Sequence, residues 1–260
     1  MLLAVVLSSC AQAPDSGDAL ATAEYREIND PAEPTMRAVF GFNRVLDSAV
    51  LKPVSKTYRD IAPETIRMGV HNFLRNLRSP VIFINDVLQG EIDRAGVTLA
   101  RFLINTTVGI LGINDQAAEM GLDYHNEDFG QTLAIWGIEE GPYLMLPVFG
   151  PSSPRDTIGL VVDFFLDPLN LMAFNTDRRW ITLSRQSANA VDFRSRHYDE
   201  IEDLEKSSLD YYAAIRSLYR QRRKDEIRNG SIAPLDNGPE INMNTDFPVS
   251  AINEELSERP

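Results

Sequence analysis

The chain has 260 residues, a formal charge of −13 and a pI near 4.7. Such an acidic chain, with no basic stripe interleaved with aromatics, argues against nucleic acid as a partner. A single cysteine excludes an internal disulfide, and no run reaches the ~18 consecutive apolar residues that a helix needs to span a bilayer.

Residues Met1 to Leu7 are apolar and run into Leu7-Ser8-Ser9-Cys10. A short apolar segment ending in small residues is a secretory signal, and its end at the lone cysteine resembles a bacterial lipobox. Cys10 would then be the lipid anchor, and Ala11 after it implies sorting to the outer membrane. Residues 1–10 are thus expected to be a signal segment and 11–30 an acidic tether. The body is 31–230, and 231–260 an acidic tail. The tether carries Asp15, Asp18, Glu24, Glu27 and Asp30 against Arg26, and the tail six carboxylates against Arg259, so the body itself is nearly balanced. Both arms are too poor in apolar residues to offset the entropy of ordering.

Within the body, Met36, Val39, Phe40, Phe42, Val45, Leu46, Ala49 and Val50 recur at helical spacing, a first helix that Pro53 is expected to end. Ile66 to Leu77 predicts a second. Ser79-Pro80 reads as the cap and first residue of a third, which runs to Gln89 and stops at Gly90. Its apolar start points to burial or to lipid. Ile92 to Thr106 makes a fourth helix, and Gln116 to Met120 a weak turn. Ser153-Pro154 opens another over the apolar run Ile158 to Leu166, and Ile181 to Arg196 and Leu209 to Arg228 are longer surface helices. Strand signal is confined to Tyr143 to Phe149. The class is mostly α: a compact ring-like or irregular helical assembly with a Gly/Pro-rich apolar hairpin and no internal repeat.

That hairpin spans Asp128 to Asp156 and holds Gly130, Gly137, Gly141 and Gly150 with Pro142, Pro147, Pro151 and Pro154. So many chain-benders among so many apolar side chains predict a turn-rich segment packed on protein or lipid. Catalytic signatures are missing: there is no G-x-S-x-G, no H-E-x-x-H and no phosphate loop. Asp123, His125, Glu127 and Asp128 cluster without a standard metal spacing, so neither a metal nor a cofactor is expected. Gly150 to Asp156 leads into a helix start. It reads either as an anion site with Ser152, Ser153 and Arg155 at a head group, or as a plain cap with Asp156 at the third position and Arg155 in a salt bridge.

Ordered motifs along residues 29 to 170 carry a resemblance. They include Asn29-Asp30-Pro31, Val50-Leu51-Lys52-Pro53-Val54, Asn72-Phe73, Asn76-Leu77, Asn85-Asp86 and Leu88-Gln89-Gly90. They continue in Arg101 to Thr106, Glu127 to Leu133, Trp136-Gly137, Gly141-Pro142-Tyr143, Leu146-Pro147, Gly150-Pro151-Ser152 and Arg155-Asp156. In these the chain resembles the MlaA (VacJ) lipoproteins of Gram-negative outer membranes. Pro34-Thr35-Met36 departs from the Gly-Phe-Asn usual there. The resemblance implies a helical ring in the inner leaflet of the outer membrane, with an amphipathic channel. Phospholipid would be drawn from the outer leaflet and passed to a periplasmic carrier, beside a trimeric porin and without catalysis. A structural porin-associated lipoprotein that moves no lipid is the alternative, and a lipid hydrolase using Ser152 or Ser153 a weaker third.

Set in that frame, the hairpin is expected to gate the lipid path. Phe129, Gly130, Gly141, Tyr143, Met145 and Gly150 are the candidate path or gate residues, with the aromatics and Met145 sliding past acyl chains.

Overall fold

The computed structural model describes residues 29–229. Cys10, the stretch up to residue 28 and the tail from 230 lie outside the described residues. The sequence-derived tether boundary moves: Asn29 and Asp30 belong to the packed body. Asn29 Nδ2 donates to the Gly141 carbonyl at 2.7 Å, and buried Asp30 accepts from Tyr212 Oη at 2.6 Å and Arg216 Nη1 at 2.7 Å.

Helix α1, Glu33–Leu46, is opened by Pro34 and continues through a π-helical turn, Asp47–Leu51, into α2, Lys52–Ile61. Pro53 therefore does not end the first helix as the sequence suggested. It follows the wide turn, where a missing N–H and a bulky ring are tolerated. The second and third expected helices are likewise one, α3, Glu64–Gln89, with Pro80 inside. An interior proline costs about 3 kcal/mol, but Leu74, Val81 and Ile82 are all buried along this helix, and packing on both sides of Pro80 holds it. Gly90, at φ 82°, terminates α3 as expected.

Helix α4, Ile92–Thr107, and the single turn α5, Gln116–Glu119, fall where the periodicity put them. Next come α6, Phe129–Ile135, and the short antiparallel strands β1, Leu144–Leu146, and β2, Gly150–Ser152. Helix α7, Pro154–Leu166, starts at Ser153, whose Oγ accepts from the Asp156 N–H at 3.2 Å, the expected cap. After α7 come α8, Pro168–Asn175; α9, Arg179–Arg196; α10, Tyr198–Ser207; and α11, Tyr211–Ile227.

Contacts between elements close into two circuits. One runs α3–α6–α7–α8–α9 and back to α3. The other runs α1–α2–α10–α11–β2–β1 and back to α1. No single described helix is long and apolar enough to cross a membrane; α7 and α8, bent by 64° where they meet, reach that length and apolarity only together.

Candidate functional site: a polar interior in an apolar shell

In a water-soluble domain the apolar faces of such helices turn inward. Here buried polar and charged side chains outnumber buried apolar ones about two to one. On α3, Asn76, Ser79, Asn85 and Asp86 are buried while Ile66, Met68, Val87 and Leu88 are exposed. On α7, Arg155 is buried while Ile158, Leu160, Val161 and Phe165 face out. Among the described residues, a buried apolar cluster is formed by Tyr143, Met145 and Tyr212, backed by Met36, Phe40 and Tyr219.

The interior holds several hydrogen-bonded groups. Asp86, fully buried, accepts from Thr98 Oγ1 at 2.7 Å and from His125 Nε2 at 3.0 Å. Asn85 donates to Asp163 at 3.0 Å and accepts from Thr132 Oγ1 at 2.8 Å. Glu127 pairs with Arg94 at 2.5 Å and accepts from Gln89 at 3.0 Å, yet burial still pushes its carboxyl up. Burial likewise raises Asp163 to about 6, against the bond from Asn85. On α4, Arg101 grips Asp115 through both carboxylate oxygens at 2.9 and 2.7 Å. His125 meets Thr98 and Asp86 through the same ring nitrogen, so these groups do not form the relay through two nitrogens that a nucleophile–base pair requires. Among the described residues no group of three metal-ligating side chains converges.

A charge clamp joins the two circuits. Arg223 of α11 donates to both oxygens of Asp128 at 2.6 Å and to Asp156 at 3.0 Å. Asp128 in turn caps α6 by accepting from the Gln131 N–H at 3.0 Å. Burial alone would raise Asp128, but the Arg223 guanidinium outweighs it and holds the carboxyl at about 2.

The segment expected to be one gating hairpin is therefore three pieces: helix α6, an extended loop, and the β1–β2 pair. Gly130 and Gly159 bring α6 and α7 into backbone contact. A Cβ on Gly159 would lie 2.3 Å from the Gly130 nitrogen, and one on Gly130 2.4 Å from Arg223 Nη2. Gly141 and Gly150 do take the left-handed angles that suit glycine, at φ 75° and 84°.

Tyr143 and Met145, expected to slide past acyl chains, are instead 1% and 3% exposed. Tyr143, just before β1, lies edge-on to Tyr212 at 5.9 Å, and Met145 of β1 packs in the same cluster. Phe129 is half-buried, edge-on to Trp136 at 5.7 Å. Outward-facing apolar groups in this segment are Ile135, Trp136, Ile138, Val148 and Phe149. Ser152, Ser153 and Arg155 are buried as well; Ser153 is spent on the cap and Arg155 on Asp156 at 2.9 Å, the plain-cap arrangement.

Sequence reasoning missed the inversion itself, because periodicity finds a stripe without saying which way it points. It also passed over Arg67, His71, Arg75 and Arg78, whose steps of four, four and three place them on one face of α3. That face turns into the first circuit: His71 Nδ1 meets Asp192 of α9 at 2.8 Å, and the Arg75 guanidinium lies 3.3 Å from the centre of the Tyr124 ring.

The MlaA lipoprotein family model matches residues 28–226. The intermembrane phospholipid transport system lipoprotein MlaA of Haemophilus influenzae is 31% identical, over 89% of this chain and 90% of that one. Its Escherichia coli counterpart is 30% identical, over 80% and 82%. An uncharacterised protein of Rickettsia prowazekii is 34% identical, over 78% and 79%. A solved structure described as the structural basis for maintenance of bacterial outer membrane lipid asymmetry superposes with a TM-score of 0.68 at 32% identity, over 76% of this chain and 98% of that one.

Proposed function

Since the chain belongs to the MlaA lipoprotein family, we propose that it removes misplaced phospholipid from the outer leaflet of the outer membrane. It sits in the inner leaflet, held by Cys10, and passes the lipid to a periplasmic carrier from a place beside a trimeric porin. The observation that carries this reading is the inverted polarity of the body.

An apolar shell needs no counterpart in protein if lipid tails surround it, and an interior lined with hydrogen-bonded polar side chains can admit water or a polar ligand. The ring then gives a head group a wet path while the tails stay in an apolar one. The clamp of Arg223 on Asp128 and Asp156 fixes the frame around that path. Gating is proposed to rest with the exposed part of the Phe129–Gly150 segment, around Trp136 and the Val148-Phe149 tip, while Tyr143 and Met145 anchor it.

The test is outer-leaflet phospholipid content in cells lacking the protein and in cells complemented with it. The reading expects accumulation in the first and clearance in the second, with phospholipid co-purifying with the detergent-extracted protein. Normal asymmetry without the protein, and no bound lipid, would favour a purely structural lipoprotein.

A further inference from the structure

The interior of this protein leaves few charges unpaired. Arg94, Arg101, Arg155, Arg185, Arg194 and Arg223 each have a carboxylate within 4 Å. Arg67 and Arg75, half-buried on α3, and Arg78, exposed one turn further along the same face, have no such ion pair among the described residues. The Nε atoms of Arg67 and Arg75 are buried and without a hydrogen-bond acceptor. Of the carboxylates near the stripe, Asp192 is committed to His71, Asp128 to Arg223 and Asp115 to Arg101; Asp163, which lies in the field of Arg78, is held by Asn85 and the Phe129 N–H and makes no ion pair within 4 Å. A buried guanidinium without a counter-charge is costly, and burial does lower Arg75 from its ordinary value.

An anionic ligand would remove that cost. Guanidinium forks match phosphate geometry and hold it by charge-assisted bonds. From residue 67 to residue 78 the helix rises roughly 16 Å, about the depth of one leaflet of a hydrocarbon core ~30 Å thick. Close to the Arg67 end, α2 carries an open apolar groove of about 470 Å³ lined by Pro53, Val54, Thr57, Tyr58, Ile61 and Ala62. The Tyr58 hydroxyl is buried, unpartnered and within the field of Arg67. Cations on one side and an apolar groove on the other match the two halves of a phospholipid.

We propose that Arg67, Arg75 and Arg78 form a ladder that binds the phosphodiester of a phospholipid and lets it step along α3, with an acyl chain in the α2 groove. This inference rests on the transport reading and assigns its head-group site, in place of Ser152, Ser153 and Arg155.

The test uses the full chain in detergent, with retained phospholipid measured by mass spectrometry and by total phosphorus. Wild type is compared with the triple variant R67Q/R75Q/R78Q, with R78Q alone, and with R179Q, which removes a cation from α9 outside the stripe. Stripped protein is reloaded from phosphatidylglycerol vesicles with and without millimolar inorganic phosphate.

The triple variant should retain about tenfold less lipid than wild type, as expected for lost charge-assisted bonds. R78Q should lose severalfold, R179Q should match wild type, and inorganic phosphate should not compete. Arg78 is exposed, so R78Q keeps the test decisive if the triple variant does not fold. Lipid retention equal to wild type in R78Q and in a folded triple variant would overturn the ladder and leave the transport reading standing. Displacement by phosphate alone would make it a free-phosphate site and overturn it too. A wild type that carries no lipid at all would sink the transport reading, and the ladder with it.

Discussion

Two groups of arginines inside the same body are treated in opposite ways. Arg223 is paired: its guanidinium spans Asp128 and Asp156, ties α11 to α6 and α7, and leaves no carboxylate oxygen of Asp128 without a bond. Along the stripe on α3, among the described residues, His71 alone has a carboxylate within 4 Å. Buried charges that hold a structure must be matched, since each unmatched one costs several kcal/mol. Unmatched ones persist where another molecule completes them. The clamp is thus a structural part and the stripe a receiving one.

The comparison predicts unequal effects of removing arginine. Arg223→Leu leaves Asp128 buried without its ion-pair partner and Asp156 with Arg155 alone, and should cost about 3–5 kcal/mol, read as a fall in thermal or denaturant midpoint; an unchanged midpoint would erase the distinction. Close behind, Gly159→Ala drives a methyl into the Gly130 backbone. Parting α6 from α7 should cost about 3 kcal/mol, measured the same way.

A smaller effect tests the charge state beside the clamp. Asp163 has an ordinary value near 3.8 but about 6 when folded, so the folded protein binds this proton more tightly than the unfolded chain. Its penalty is therefore absent below about pH 4, grows as pH rises through 6, and then levels off. Wild type should lose about 2 kcal/mol relative to Asp163→Asn between pH 4 and 7 in unfolding experiments. Asp128, held near 2, has the opposite sign: the stability it contributes is present above about pH 4 and is lost only as pH falls through 2. Smallest of all, Arg78→Gln should change stability by less than about 0.5 kcal/mol, because no ion pair breaks. A loss comparable to that of Arg223→Leu would mean the stripe is structural after all.

What the sequence made legible were features set by local chemistry. Helix α4, the Ser153 cap with Pro154, and the stop at Gly90 depend on residues within one turn of each other, and they occur as read. Pro53 and Pro80 were misread as ends because a local rule cannot see the π-turn or the packing that offsets a lost hydrogen bond. Helix α8 is too short and too uniformly apolar to show a period, and α10, Tyr198–Ser207, is acidic enough to pass for a loop. The candidate site was only partly legible. Tyr143 and Met145 read as gate residues because an apolar turn suggests motion, whereas both are buried in one cluster with Tyr212, a residue far away in the chain. The stripe on α3 was visible as a spacing. Its meaning needed partners on α9 and in the Tyr124 loop, far away in the chain.

The central claim is that the apolar shell faces lipid. The chain has two tryptophans, Trp136 and Trp180, and both are more than half exposed. Reconstitution of the full chain into bilayers with brominated acyl chains, with Trp136→Phe and Trp180→Phe to separate the signals, measures that contact directly. The account predicts blue-shifted emission and strong quenching by brominated tails for Trp136, and for Trp180 if α9 shares the shell. Red-shifted emission from Trp136, quenched by aqueous iodide and indifferent to brominated lipid, would contradict it.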